Sequence, residues 1–114
     1  MKRFLALYLI PAKVIEDWSK TDPHKRKAAE EKMMEEWKKW MSEHATTVTH
    51  TEAAGKTKRA ASDGVSDVKN DIHLCSFVEA DSHEAAARLF ETHPHLQIPQ
   101  FSIEIMEVRP LTGA

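Results

Sequence analysis

The sequence predicts an α+β domain in which a four-stranded antiparallel sheet carries two helices on one of its faces. Three observations carry this reading. Phe4 to Ile10 is an unbroken apolar run stopped by Pro11, with the length and punctuation of a strand rather than a helix. Met33, Trp37, Trp40, Met41 and His44 recur at spacings of four, three, one and three, a single stripe along a long amphipathic helix. Phe101-Ser102-Ile103-Glu104-Ile105 alternates apolar and polar residues, the two-residue period of a strand covered on one side.

The first strand has no polar alternation, so it suits a central position covered on both faces. Ala12 to Lys20 contains Val14, Ile15 and Trp18, spaced for one helical turn or an ordered loop. Asp22 caps the long helix and Pro23 opens it, since the N–H that proline lacks would be unpaired there anyway. Glu35 and Lys39 form an i,i+4 pair on its solvent side. Residues 45 to 71 are polar and hold two of the three glycines. Within them Thr46 to Thr49 is a β-branched strand, His50 to Gly55 a loop, Lys56 to Ala61 an edge extension, and Asp63-Gly64 a turn. Ile72 to Val78 is the next strand. Asp81 or Ser82 caps a second helix with inner face Ala85, Ala86, Leu89 and Phe90, ending near Thr92 because Pro94 disfavours helical geometry at His93. In the last strand Met106 and Val108 shift the apolar phase, which predicts either a bulge or burial on both faces.

The resulting order, β-α-β-β-α-β, is the split βαβ, ferredoxin-like arrangement. Its helices cover one sheet face only, yet the first strand is apolar at both parities: Leu5, Leu7 and Leu9 on one, Phe4, Ala6, Tyr8 and Ile10 on the other. A second copy of the chain is the expected cover, which makes a homodimer the predicted assembly. A length of 114 residues suits one domain spanning 1–114 with a single core. The net charge of −2, with Lys and Glu interleaved along one helix face, offers no footprint for nucleic acid. One cysteine, Cys75, excludes an intrachain disulfide and fits a reducing, cytoplasmic setting. Lys2-Arg3 and the apolar run after it have the order of a secretory leader. The run is short and no small-residue cleavage site follows, so a buried strand is expected instead of a leader or a membrane span.

Four passages together resemble the YCII-related family and its DGPF-named branch, over roughly residues 2 to 110. Asp63-Gly64-Val65-Ser66 stands where that branch has Asp-Gly-Pro-Phe. Val78 to Ala86 is similar to its acidic strand-to-helix passage, Pro94-His95-Leu96 to its "PHL" segment, and Ser102-Ile103-Glu104 with Glu107-Val108-Arg109-Pro110 to its terminal "IEVRP" strand. The resemblance implies a dimeric α+β barrel, two sheets face to face with a cleft between. It also implies chemistry of the kind found among some members: acid–base work by a His–Asp pair, and in one relative dehydrochlorination of an aromatic ring. This chain has Asp22-Pro23-His24-Lys25 where the branch with that pair has an Arg-Pro-Ala run before its histidine, so the pair is not carried to His24.

Seven histidines are the unusual feature of the composition, and imidazole serves as a base or metal ligand near neutral pH. His93 and His95 flank a rigid Pro94, and no HxxxH or CxxC spacing accompanies them, so no metal or other cofactor is expected. His24 and His83 lie in first turns, and His44 ends the long helix. His95 is the residue expected to line a pocket, because it enters the last strand within a family-like segment. Asp63 and Asp67 are possible carboxylate partners, although Asp63 equally fits a turn before Gly64. If Phe101, Ile103 and Ile105 face the helices, Glu104 and Ser102 face the cleft with Tyr8 nearby. A carboxylate there is partly desolvated, as an acid–base residue needs. Cys75 on a strand is expected to be an inert, buried thiol. The catalytic candidates are therefore His95, Asp63 and Glu104. The functions in view are an acid–base enzyme acting on a small molecule, a dimer that binds a metabolite without turnover, and a pure interaction domain.

Overall fold

The computed structural model describes residues 1–111. Strands β1 (Lys2–Leu9), β2 (Val48–Ala53), β5 (Ile72–Ala80) and β6 (Ser102–Val108) form an antiparallel sheet in the order β2-β5-β1-β6. With helices α1 (Ala12–Ser19), α2 (Pro23–Glu43) and α3 (His83–Leu89), this is the expected α+β, ferredoxin-like arrangement. Strand β1 is central, paired from Lys2–Ala80 to Leu9–Ile72 on one side and from Arg3–Val108 to Leu9–Ser102 on the other. The β1–β6 register runs without interruption. Met106 therefore marks apolar residues on both faces of β6, not a bulge.

The core lies between the sheet and the helices. Phe4, Ala6 and Tyr8 of β1 and Ser76 and Val78 of β5 are fully buried, because alternate residues of a strand share a face. Trp40 of α2, Ala86 of α3 and Phe90 close over them. The expected caps form: the Asp22 side chain accepts from the Lys25 N–H at 3.1 Å, and Ser82 from that of Ala85 at 3.1 Å. After α3 the chain continues in two 3-10 turns, Phe90–Thr92 and Pro94–Gln97, so helical geometry does persist to Thr92. Ala85 is exposed, and the inner face of α3 reduces to Ala86 and Leu89.

Several expectations are corrected. Ala12–Ser19 is a two-turn helix that buries no residue. It is tied to α2 by the Trp18 indole donating to Glu30 at 3.0 Å and by the Arg26 guanidinium donating to the Ser19 carbonyl at 2.7 Å. The helical stripe is core only at its C-terminal end: Trp40 is buried, while Met33, Trp37, Met41 and His44 are half-buried. Among the described residues the N-terminal half of α2 buries no side chain. Strand β2 continues through the segment expected to be a loop, bulging where His50 takes φ 52°.

The edge extension is instead a separate ribbon, β3 (Thr57–Ala61), which among the described residues pairs only with β4 (Gly64–Val68). It prolongs the β2–β5 pair as an arm that leaves the body of the fold. The turn Ser62-Asp63 at its tip leads into Gly64 at φ 132°, where any side chain would be strained. The molecule measures 54 × 43 × 19 Å with a radius of gyration of 16.4 Å. A compact chain of this length has about 13 Å. One helical layer on one sheet, with an arm beyond it, accounts for the thinness and the spread.

Trp40→Ala should cost on the order of 3–5 kcal/mol. Trp37→Ala should cost clearly less, and Lys38→Ala no more than about 0.5 kcal/mol. Denaturant unfolding of the three variants measures this, and equal losses at Trp37 and Trp40 would contradict the burial described.

Candidate functional site

The segment from Phe90 to Phe101 builds the most perturbed chemistry in the chain. Pro94 holds His93 extended, at φ −64° and ψ 129°, as the residue before a proline prefers. That geometry turns the His93 ring back over its own chain, where Nδ1 accepts the His95 N–H at 3.1 Å. A neutral imidazole that accepts at Nδ1 carries its proton on Nε2. His93 is 2% exposed, with its ring 4.6 Å from Trp40, 5.2 Å from Tyr8 and 4.9 Å from His95. Burial, then the neighbouring His95 and His44, lowers its pKa to about 3.

His95 is half-buried, 5.4 Å from the Phe101 ring and 6.0 Å from Trp37. Burial, with His73 adding to it, holds its pKa below the ordinary imidazole value. The Nε2 of His93, Nδ1 of His95 and Nε1 of Trp37 are buried and have no partner among the described residues. Both imidazoles are thus uncharged at neutral pH. His93 can donate through Nε2 but offers no lone pair there to a metal. No group of three metal-ligating side chains occurs among the described residues. An open groove of about 670 Å³ passes His93 between α2 and the 3-10 turns, lined also by Trp40, His44, Thr92 and Leu96. His44 is held in that lining by its Nδ1 donating to the Trp40 carbonyl at 2.7 Å and by its ring stacking on the indole at 4.2 Å.

Among the described residues no helix covers the other face of the sheet. Phe77, Leu5 and Met106 lie side by side on neighbouring strands, as do Cys75, Leu7 and Glu104, at the interstrand spacing of about 4.8 Å. Leu5, Leu7, Leu9, Cys75 and Phe77 are half-exposed, Met106 is 44% exposed, and the Arg3 guanidinium lies 4.9 Å over Phe77. Cys75 is accordingly not sealed in the core.

The structure does not bring the three predicted site residues together. His95 packs with Phe101 and Trp37 on the helix-covered side. Glu104 projects from the opposite face of β6, exposed. Asp63 is exposed in the turn at the tip of the arm. Tyr8, expected near Glu104, faces the helices instead. Its hydroxyl is buried against Ser76 Oγ at 3.1 Å, and Ser76 meets Thr51 Oγ1 at 2.7 Å. Burial first, then Cys75, raises the Tyr8 pKa, against the lowering effect of its Ser76 hydrogen bond. His93 is the residue that sequence reasoning undervalued. The signal was the His-Pro-His spacing, which fixes one imidazole over the next backbone N–H.

Fold and face geometry define a class: a ferredoxin-like α+β domain with one covered and one open sheet face. No protein-family model matches the chain, and no curated protein matches its sequence. Among solved structures it is similar to 5-chloro-2-hydroxyhydroquinone dehydrochlorinase (TftG) from Burkholderia phenoliruptrix AC1100, in complex with 2,5-dihydroxybenzoquinone. The TM-score is 0.52 and the identity 11%, with 96% of this chain and 94% of that one covered. At that identity the likeness establishes a shared fold. No helix among the described residues is long and apolar enough to cross a membrane.

Burial of His93 has a consequence for pH. In the unfolded chain its imidazole takes a proton at about 6.5, but in the fold only near 3. Between these values the unfolded state holds the extra proton. Stability should therefore be full above about pH 6.5 and fall toward pH 3, by up to about 1.4 kcal/mol per pH unit from this residue. His95, shifted the same way, adds to the trend. In urea titrations between pH 7 and 5, His93→Asn, which keeps an acceptor for the His95 N–H, should flatten the slope. An unchanged slope would mean that His93 titrates as it does in water.

Proposed function

We propose that the chain acts as a homodimer that holds a small, largely apolar molecule between the open faces of two sheets, with Glu104 as the acid–base group of that space. The observation that carries this reading is the apolar platform of Leu5, Leu7, Phe77 and Met106, with Glu104 set directly beside Leu7 and Glu52 at the far end of the same row, beside Cys75. An apolar surface with few convergent polar groups is the usual form of a small-molecule site. A bare sheet face of this kind calls for cover. The motifs that resemble the DGPF branch of the YCII-related family support the same assembly.

The similar dehydrochlorinase was solved with a planar, oxygen-bearing ring, and a hydroxylated aromatic is the ligand class proposed here. A chlorinated member of that class loses HCl by sending chloride out as the leaving group and a proton to a base, which leaves a hydroxyquinone. Glu104 is proposed as that base. His95 and Asp63 lie away from it in a single chain, so a His–carboxylate pair is not part of this reading. That separation favours, as the second reading, a dimer that binds its ligand without turnover.

Light scattering at micromolar concentration should give twice the 13.0 kDa chain mass. Leu7→Glu should yield a folded monomer that no longer binds 2,5-dihydroxybenzoquinone, followed by ligand absorbance. Glu104→Gln should keep dimer and binding while slowing chloride release from 5-chloro-2-hydroxyhydroquinone by roughly a hundredfold or more. A clean wild-type monomer sinks the proposal. Binding without chloride release by the wild type selects the second reading.

A further inference from the structure

We infer that the β3–β4 arm is a docking element for a second copy of this chain, lying against the partner's open sheet face with its Ala60–Val65 side. This rests on the dimeric reading above and adds to it, because the arm would then close one end of the space between the sheets. The first support is the arm itself. Among the described residues its two strands pair with each other and with no other strand, and of their ten residues only Thr57 and Val68, at the base, are not fully exposed. A two-stranded ribbon standing alone in water is marginal at best. One that is five residues long on each side, with Val65 72% exposed, calls for a surface to lie on.

The second support is area. The chain exposes 8577 Å², whereas a compact protein of 13.0 kDa exposes about 6,300 Å². The excess, about 2,300 Å², is more than one partner gives up in a standard interface of about 800 Å² a side, and suits an obligate dimer. The bare sheet face and the arm contribute to that excess beside α1 and the first half of α2, and of these parts they are the ones that a second copy covers in the dimer proposed above. A two-fold axis buries both at once, because each arm meets the other copy's face and the contact closes.

Charge separates this occupant from a nucleic acid. On the Ala60–Val65 side of the arm Lys58 is held by Asp67 at 2.7 Å, so that side offers an apolar patch beside a neutralised pair. Arg59 lies on the opposite side, with Ser66.

Two exposed arm positions on opposite sides provide the test. Val65→Asp should raise the dimer dissociation constant roughly tenfold or more, measured by sedimentation on dilution, with circular dichroism unchanged. Ser66→Asp, one residue along but on the other side, should leave it within about twofold. Amide exchange across residues 57–68 should be slower in concentrated than in dilute wild-type samples. A wild-type dimer that Leu7→Glu disrupts but Val65→Asp does not would overturn the arm and leave the sheet-face dimer standing. Equal weakening by both arm variants would overturn the assignment of its side. A wild-type monomer would overturn the arm and the dimeric reading together.

Discussion

Strand β1 is apolar on both faces, but the described residues supply helices for only one, and most of the structure answers to that imbalance. On the covered face Phe4, Ala6 and Tyr8 are fully buried, and Trp40, Ala86 and Phe90 are brought over them. On the other face Leu5, Leu7 and Leu9 are left half-exposed. Apolar area gains about 25 cal/mol for each Å² removed from water, so the bare side is a standing drive toward association. The core is correspondingly small, and α1 and the first half of α2 add helix without adding core.

The covered face is not a plain hydrocarbon core. Tyr8, Ser76 and Thr51 run a line of hydroxyls through it, and His93 sits beside Tyr8 with almost no exposure. Polar groups at such depth are tolerated when hydrogen-bonded. The hydroxyls satisfy one another, and His93 satisfies one nitrogen through the His95 N–H. Pro94 makes this possible: it holds His93 extended and leaves the next N–H turned back toward the ring. The same stiff segment places His95 against Phe101 and Trp37 rather than on the bare face, which is why His95 and Glu104 lie on opposite sides of the sheet.

Much of the fold was legible in the sequence, because it depends on local periodicity and punctuation. The apolar run closed by Pro11, the Asp22-Pro23 start of α2, the Ser82 cap and the alternation through Phe101 to Ile105 each act within a few residues. Alternation also separated Glu104 from Ile103 and Ile105, so the face of that carboxylate could be read directly. The sequence by itself thus determined the class of fold, the order of its elements and which side of β6 carries the acid.

Tertiary structure alone decided the rest, since it turns on distances between segments far apart in the chain. The Met/Trp stripe of α2 has one period throughout, yet only Trp40 is buried, because the sheet ends before the helix does. The polar stretch from 45 to 71 holds no apolar alternation to show where β2 ends and the arm begins. That division follows from how long β5 is as a partner. Tyr8 has the composition of either face of a doubly apolar strand, and the register with Ile103 put it under the helices. His93 and His95 are two residues apart and chemically identical. Packing against Trp40 and Tyr8 buried one of them, and contact with Phe101 left the other at the edge.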